Sequence, residues 1–130
     1  MSFSDPIADL LLRMRNAKDA RHRFVDVPFS QLKANIVHIM KEQGFVENFL
    51  VDEEKGQMRI FLKYANGREP VIQGLKRMSS PSLRRYVGYK RIPRVLNGLG
   101  VAIVSTPEGV IDGETARQKK IGGELLCLVW

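Results

Sequence analysis

Only one cysteine, Cys127, occurs in the 130 residues, which excludes an intramolecular disulfide framework and any zinc site built on several thiolates. One thiol also suits a reducing compartment. No apolar run approaches the roughly 20 residues of a membrane span. The opening Met1–Leu12 carries Asp5 and Asp9, where an organelle transit peptide would be poor in acids, so no targeting signal is expected. Catalytic signatures are missing too: there is no G-x-S-x-G elbow, no phosphate loop and no G-x-G-x-x-G. His22 and His38 stand far apart, on different predicted elements, and the carboxylates form no spaced ligand set. Neither an enzyme nor a metal or cofactor protein is expected.

Acids are missing from one stretch in particular. Lys76 to Arg94 holds seven basic residues (Lys76, Arg77, Arg84, Arg85, Lys90, Arg91 and Arg94) and no Asp or Glu. The whole chain has 21 Lys+Arg against 14 Asp+Glu, a net charge of +7. Residues 1–66 contribute ten bases and nine acids, while residues 67–130 contribute eleven and five, so the excess sits in the second half. A solvated face is the plain reading of a charge run. The absence of compensating acids, with Tyr86 and Tyr89 interleaved, favours a phosphate-contacting surface with rings available for stacking.

The hydrophobic pattern predicts an α+β chain of two small α/β domains, 1–66 and 67–130, joined near the turn dipeptide Asn66-Gly67. Asp5 or Ser4 caps a first helix with Pro6 in its first turn and Ile7, Leu10, Leu11 and Met14 on one stripe. Arg13, Arg15 and Asn16 fall off that stripe and are expected to face solvent or a partner. Val25 and Val27 mark a short strand. Ser30 caps a second helix with stripe Leu32, Ile36, Ile39 and Met40, closed at Gly44. Residues 45–51 and 58–64 are predicted antiparallel strands around the polar turn 52–56. In the second half, strands are predicted at 71–78 and 83–87, a short helix at 93–96, and a buried strand at 101–104. A short helix capped by Asp112 and a closing strand over 125–130 complete it.

Two loops carry candidate chemistry. Ser105-Thr106-Pro107 puts two hydroxyls at a strand end, each able to donate to phosphate or a 2′-hydroxyl and to accept; a plain turn is the alternative. Gly122-Gly123-Glu124 lets backbone approach a partner closely, since glycine has no Cβ, and Glu124 can accept from base amino groups or pin nearby N–H groups. Cys127 reads as a small buried hydrophobe.

Taken together, these residues resemble small-subunit ribosomal protein eight. Val101-Ala102-Ile103-Val104-Ser105-Thr106, Gly109-Val110, Ala116-Arg117 and Gly122-Gly123-Glu124 with Cys127 resemble that family's C-terminal signature. Asp5-Pro6-Ile7-Ala8-Asp9 with Arg13, Arg15, Asn16 and Ala17 is similar to its N-terminus, and Pro93, Val95, Leu96, Gly98, Leu99 and Gly100 match a third block. The resemblance implies two small α/β domains and a primary rRNA-binding protein that takes an irregular helix of the 16S rRNA central domain during early subunit assembly. It implies that Ser105, Thr106, Tyr86, Gly122, Gly123 and Glu124 meet the distorted helix core. It also implies that Arg13, Arg15 and Asn16 extend the footprint. Arg84 and Arg85, from the basic stretch, are expected at phosphates. Neighbouring small-subunit ribosomal proteins are implied partners, and repression of the chain's own messenger RNA stays open. No membrane and no small-molecule substrate is expected; the location implied is cytoplasmic and ribosome-associated, with a plastid-encoded origin left open. Three positions depart from the family: Pro107 replaces a third small hydroxyl, Gln31 a lysine, and Lys120 a glycine. A metal-dependent nuclease and a protein-only scaffold are the rival classes.

Overall fold

A computed structural model describes residues 5–130; Ser4, the alternative cap of the first helix, lies outside them. Helix α1 (Pro6–Asp19) begins at Asp5, whose carboxylate accepts from the Ala8 amide at 3.2 Å, and it buries Ile7, Leu10, Leu11, Met14 and Ala17. This is the local outcome the stripe dictates: a cap satisfies an orphan N–H, proline has none to lose, and one apolar face enters the core. Helix α2 (Gln31–Glu42) is capped by Ser30 and ends before Gly44, whose φ of +87° is the left-handed conformation glycine adopts freely. Both helices lie on the antiparallel sheet β1 (Phe24–Pro28), β3 (Gln57–Leu62), β2 (Val46–Asp52), in that order.

The second helix departs from its expected stripe at one place. Leu32 is exposed, and Lys33 is buried in its stead, with Nζ donating to the Pro28 carbonyl at 3.1 Å. The aliphatic stem of Lys33 continues the face of Ile36, Val37 and Met40 while its ammonium finds an acceptor at the core's edge.

A small hairpin of β4 (Tyr64–Ala65) and β5 (Glu69–Pro70) turns through Asn66 and Gly67, both at positive φ. The second half is built on β10 (Gly123–Val129), which pairs antiparallel with β6 (Leu75–Arg77), β7 (Tyr86–Val87) and β8 (Val101–Thr106); β8 also pairs with β9 (Gly109–Asp112). Helix α3 (Gly113–Lys119) is capped by Asp112, which accepts from the Thr115 amide at 3.0 Å. One apolar cluster takes Leu10, Ile36 and Met58 together with Leu75, Ile103 and Val129, so the two halves share packed surface. A second cluster, around Val104, Ala116 and Leu125, lies under α3.

Three expected elements are shorter or different. The strand expected over 71–78 is reduced to Leu75–Arg77, because the chain before it bends to bring Gly74 against the Trp130 backbone and ring. Of 83–87 only Tyr86–Val87 pairs; Leu83 is tied back to Ser80 in a turn. The expected helix at 93–96 is instead a tight turn over Val95–Gly98, with Leu96 (φ 47°) and Asn97 (φ 54°) left-handed, a conformation no right-handed helix admits.

Candidate nucleic-acid interface

Strand register assembles the site. Glu124 of β10 stands directly opposite Tyr86 of β7 on one side and Ser105 of β8 on the other. Residues abreast in antiparallel pairs project to the same face. Three side chains that are remote in sequence thus form a single row, tyrosine, carboxylate, hydroxyl. Tyr86 is 71 % exposed, an unusual state for a tyrosine in a paired strand, and its ring is free to stack. Just past Leu125 a register shift occurs between Leu125 and Cys127, which ends this stretch of regular pairing with β8.

Glu124 is the fixed point of the row. Its carboxylate accepts from the Ser79 hydroxyl at 2.5 Å and from the Arg84 guanidinium at 2.9 Å. Burial alone would raise its pKa; the bonds from Ser79 and Arg84, with the charges of Arg84 and Arg77, outweigh that and hold the carboxyl below its ordinary value. Arg84 is shifted the other way, upward, first by its bond to Glu124. Ser79, fully buried, also accepts from the Arg85 amide at 3.1 Å and thereby pins the segment that carries Tyr86. Nothing in the linear sequence marked Ser79: Ser79-Ser80-Pro81-Ser82 has the composition of a connector, and its role exists only once β6, β7 and β10 are side by side.

The two glycines serve the chain's own packing. A Cβ on Gly122 would fall 2.3 Å from the Val87 carbonyl oxygen, and one on Gly123 would fall 2.1 Å from that of Ser105. The close approach expected toward a partner is therefore taken up first by β7 and β8. Thr106 is likewise engaged: its hydroxyl donates to the Gly109 carbonyl at 2.8 Å and accepts from the Glu108 amide at 3.1 Å, closing the β8–β9 hairpin around Pro107 and Glu108. For the Ser105 hydroxyl no such intrachain bond is found among the described residues, which leaves it available.

The basic stretch divides into structural and free cations. Arg77 is mostly buried, binding the Asp5 carboxylate at 3.1 Å and the Leu126 carbonyl at 2.8 Å, so it does not face a polyanion as the sequence suggested. Arg84 is paired with Glu124. Lys76, Arg85, Lys90, Arg91 and Arg94 are exposed. None of these five has an ion-pair partner among the described residues.

In the first half, Arg13 is held by Asp9 at 2.9 Å and Asn16 is exposed. Arg15, expected to face solvent or a partner, is half-buried. It turns inward, where α1 packs on β6, and donates to the Leu75 carbonyl. Gln31, where the family resemblance leads one to expect lysine, spans one helical turn to bond Asn35 at 2.9 Å. Lys120, in place of glycine, closes α3 in the left-handed conformation at φ 56°. Pro107 sits at the hairpin tip, where its missing N–H costs no ladder bond.

No group of three or more metal-binding side chains occurs among the described residues. Buried in its strand, the Cys127 thiol is pushed up to about 12, which leaves it unreactive at neutral pH. Fold and site together define a small basic α+β binding protein that offers a polar row on one sheet and exposed cations on the stretch from Lys76 to Arg94.

Comparison with known proteins gives this class a family. The family model described as Ribosomal protein S8 matches residues 5–130. The chain is 56 % identical to the small ribosomal subunit protein uS8 of Protochlamydia amoebophila and 53 % identical to that of Anaeromyxobacter sp. strain K, each match covering all of both chains. It is 54 % identical to the uS8 of Solibacter usitatus over 98 % of each. The chain belongs to the ribosomal protein S8 family.

Proposed function

We propose that this chain is a structural constituent of the small ribosomal subunit that binds rRNA directly, seating an irregular helix of the 16S central domain on the Tyr86–Glu124–Ser105 row and supporting assembly without catalysing a reaction. The observation that carries this reading is the register that sets those three residues abreast. Regular A-form RNA hides its base edges in a deep, narrow groove, so a protein reads unpaired or distorted positions, by stacking and by bonds to exposed edges and 2′-hydroxyls. An exposed tyrosine ring, a free serine hydroxyl and a fixed carboxylate supply those contacts. Lys76, Arg85, Lys90, Arg91 and Arg94 supply phosphate attraction, which positions without specifying. Thr106 and the glycines act by holding the row in shape. A messenger RNA folded into the same irregular helix would occupy the same row, which is how self-repression would operate.

The test is a salt-titrated binding assay in magnesium, comparing an irregular central-domain rRNA hairpin with a fully paired hairpin of equal length. Preferential binding to the irregular hairpin that survives high salt, with the RNA intact, is expected. Equal binding that collapses with salt would reduce the surface to a polyanion patch, and cleaved RNA would make the chain a nuclease.

A further inference from the structure

The outer face of the first sheet is covered by neither helix, and its chemistry is opposite to that of the second half. Helices α1 and α2 take the inner face, where Val27, Met58 and Ile60 are buried. On the outer face Leu50 stands abreast of Arg59, which stands abreast of Asp26. Arg59 is neutralised by Asp26 at 2.8 and 3.1 Å and lies 4.0 Å over the Phe24 ring, so it is not a free cation. Beside it, Leu50 is 58 % exposed at the middle of β2. Among the described residues, strand β2 pairs only with β3, so its other edge presents backbone donors and acceptors that no described strand pairs. An open depression of about 920 Å³ runs from Leu50 and Asp26 to the β2–β3 turn. That turn carries Asp52, Glu53 and Glu54 against the single base Lys55.

Edge strands in monomers are commonly blunted by lysine or proline. This one presents exposed Leu50 on its outer face with Glu47 and Asp52 toward its two ends, on a chain whose net charge is +7; Lys41 reaches it by donating to the Asn48 side chain at 3.1 Å. We infer that the β2 edge and the adjoining depression receive an extended basic segment of another protein of the small subunit, its backbone continuing the sheet beside β2, an apolar side chain on Leu50, and its lysines or arginines at Asp52, Glu53 and Glu54. Charge complementarity selects this occupant: the acids repel phosphate, while main-chain bonding along an edge needs no particular sequence and pockets beside it supply the preference. The inference rests on the ribosomal reading above for where the partner is met.

The experiment places a photo-crosslinking residue in the full chain, Leu50→p-benzoylphenylalanine, and irradiates small subunits purified from cells expressing it. The crosslinked species are then identified by mass spectrometry. A product joined to a Lys- or Arg-rich protein segment is expected. Its yield should fall roughly fivefold or more when Glu53→Lys and Glu54→Lys are added, since reversed rim charges repel that segment. Crosslinks to rRNA, to a protein segment without basic residues, or to nothing would overturn the inference. So would a yield indifferent to the charge reversal. Cosedimentation of the tagged chain with small subunits in the same gradients reads the ribosomal placement separately. A chain absent from the subunits fails that reading and removes this one with it, whereas a chain present but uncrosslinked fails this inference alone.

Discussion

Gly123 lies so close to Ser105 that a Cβ on it would stand 2.1 Å from the Ser105 carbonyl oxygen. The obstacle is backbone within a paired strand, not a side chain able to swing aside. Gly123→Ala should therefore push β8 and β10 apart, destabilising the protein by about 1–3 kcal/mol as overpacking does. Urea unfolding gives the stability. Loss of preference for the irregular hairpin at temperatures where the variant remains folded would show that the row has been spread. An alanine variant as stable as wild type would mean the strands yield freely.

Ser105 and Thr106 are neighbours with separable tasks. The Ser105 hydroxyl is free, so Ser105→Ala should leave the unfolding midpoint unchanged and weaken specific RNA binding by about 1–3 kcal/mol. Thr106 ties the hairpin through two bonds, so Thr106→Ala should lower stability by about 0.5–1.5 kcal/mol, and affinity with it. Equal effects of both substitutions on stability would erase the distinction.

Acid should reveal the Glu124 network. Its carboxyl is held below the ordinary value of 4.5, so the network's stabilisation is present above that pH and is lost as the pH falls through the folded-state value. Glu124→Gln should be less stable than wild type near neutrality, by about 1 kcal/mol for the lost charge-assisted bonding. The two stability curves should converge on acidification below pH 4.5. Parallel curves would place the acid sensitivity elsewhere. Ser79→Ala should move wild-type behaviour toward that of the glutamine variant.

Arg84 and Arg85, adjacent in sequence, should differ in their dependence on salt. Arg84 is paired with Glu124 and Arg85 is exposed without such a partner. Arg85→Gln should reduce the slope of log affinity against log salt by about one phosphate contact. The change for Arg84→Gln should be smaller. Filter-binding titrations of both variants decide it, and identical slopes would refute the assignment.

Lys120 occupies a left-handed position at the end of α3. Lys120→Gly should raise stability by up to about 1 kcal/mol by relieving that conformation. A fall in thermal midpoint would indicate that the lysine side chain compensates through contacts of its own.

Much of the fold was legible because it is local. Asp5, Ser30 and Asp112 each announce a helix by a side-chain acceptor three residues before an N–H, and each caps one. The apolar run Val101–Val104 is buried throughout. The first helix's stripe is also as periodicity demands. What periodicity could not supply was the destination of the polar residues between. Arg15 and Arg77 read as surface cations, yet each meets an acceptor that sits 60 and 49 residues away, Leu75 and Leu126. Leu32 and Lys33 exchange expected places because a long aliphatic stem packs as well as a leucine when its end finds a carbonyl. The candidate residues of the second half were nameable individually, but their arrangement depends on strand pairing. Ser79, which pins two of them, had no local signature whatever.

Strand β10 follows in sequence every strand with which it pairs: β6, β7 and β8. During synthesis those three segments emerge first, with Leu75, Val101 and Ile103 lacking the neighbour that buries them, and at about 5–20 residues per second they wait for β10. Tyr86 and Ser105 cannot stand abreast of Glu124 until the nascent chain through residue 124 has left the exit tunnel. The row therefore exists only once β10 is free to pair with β7 and β8, and a polypeptide stalled before residue 124 lacks the arrangement on which the proposed RNA contact depends.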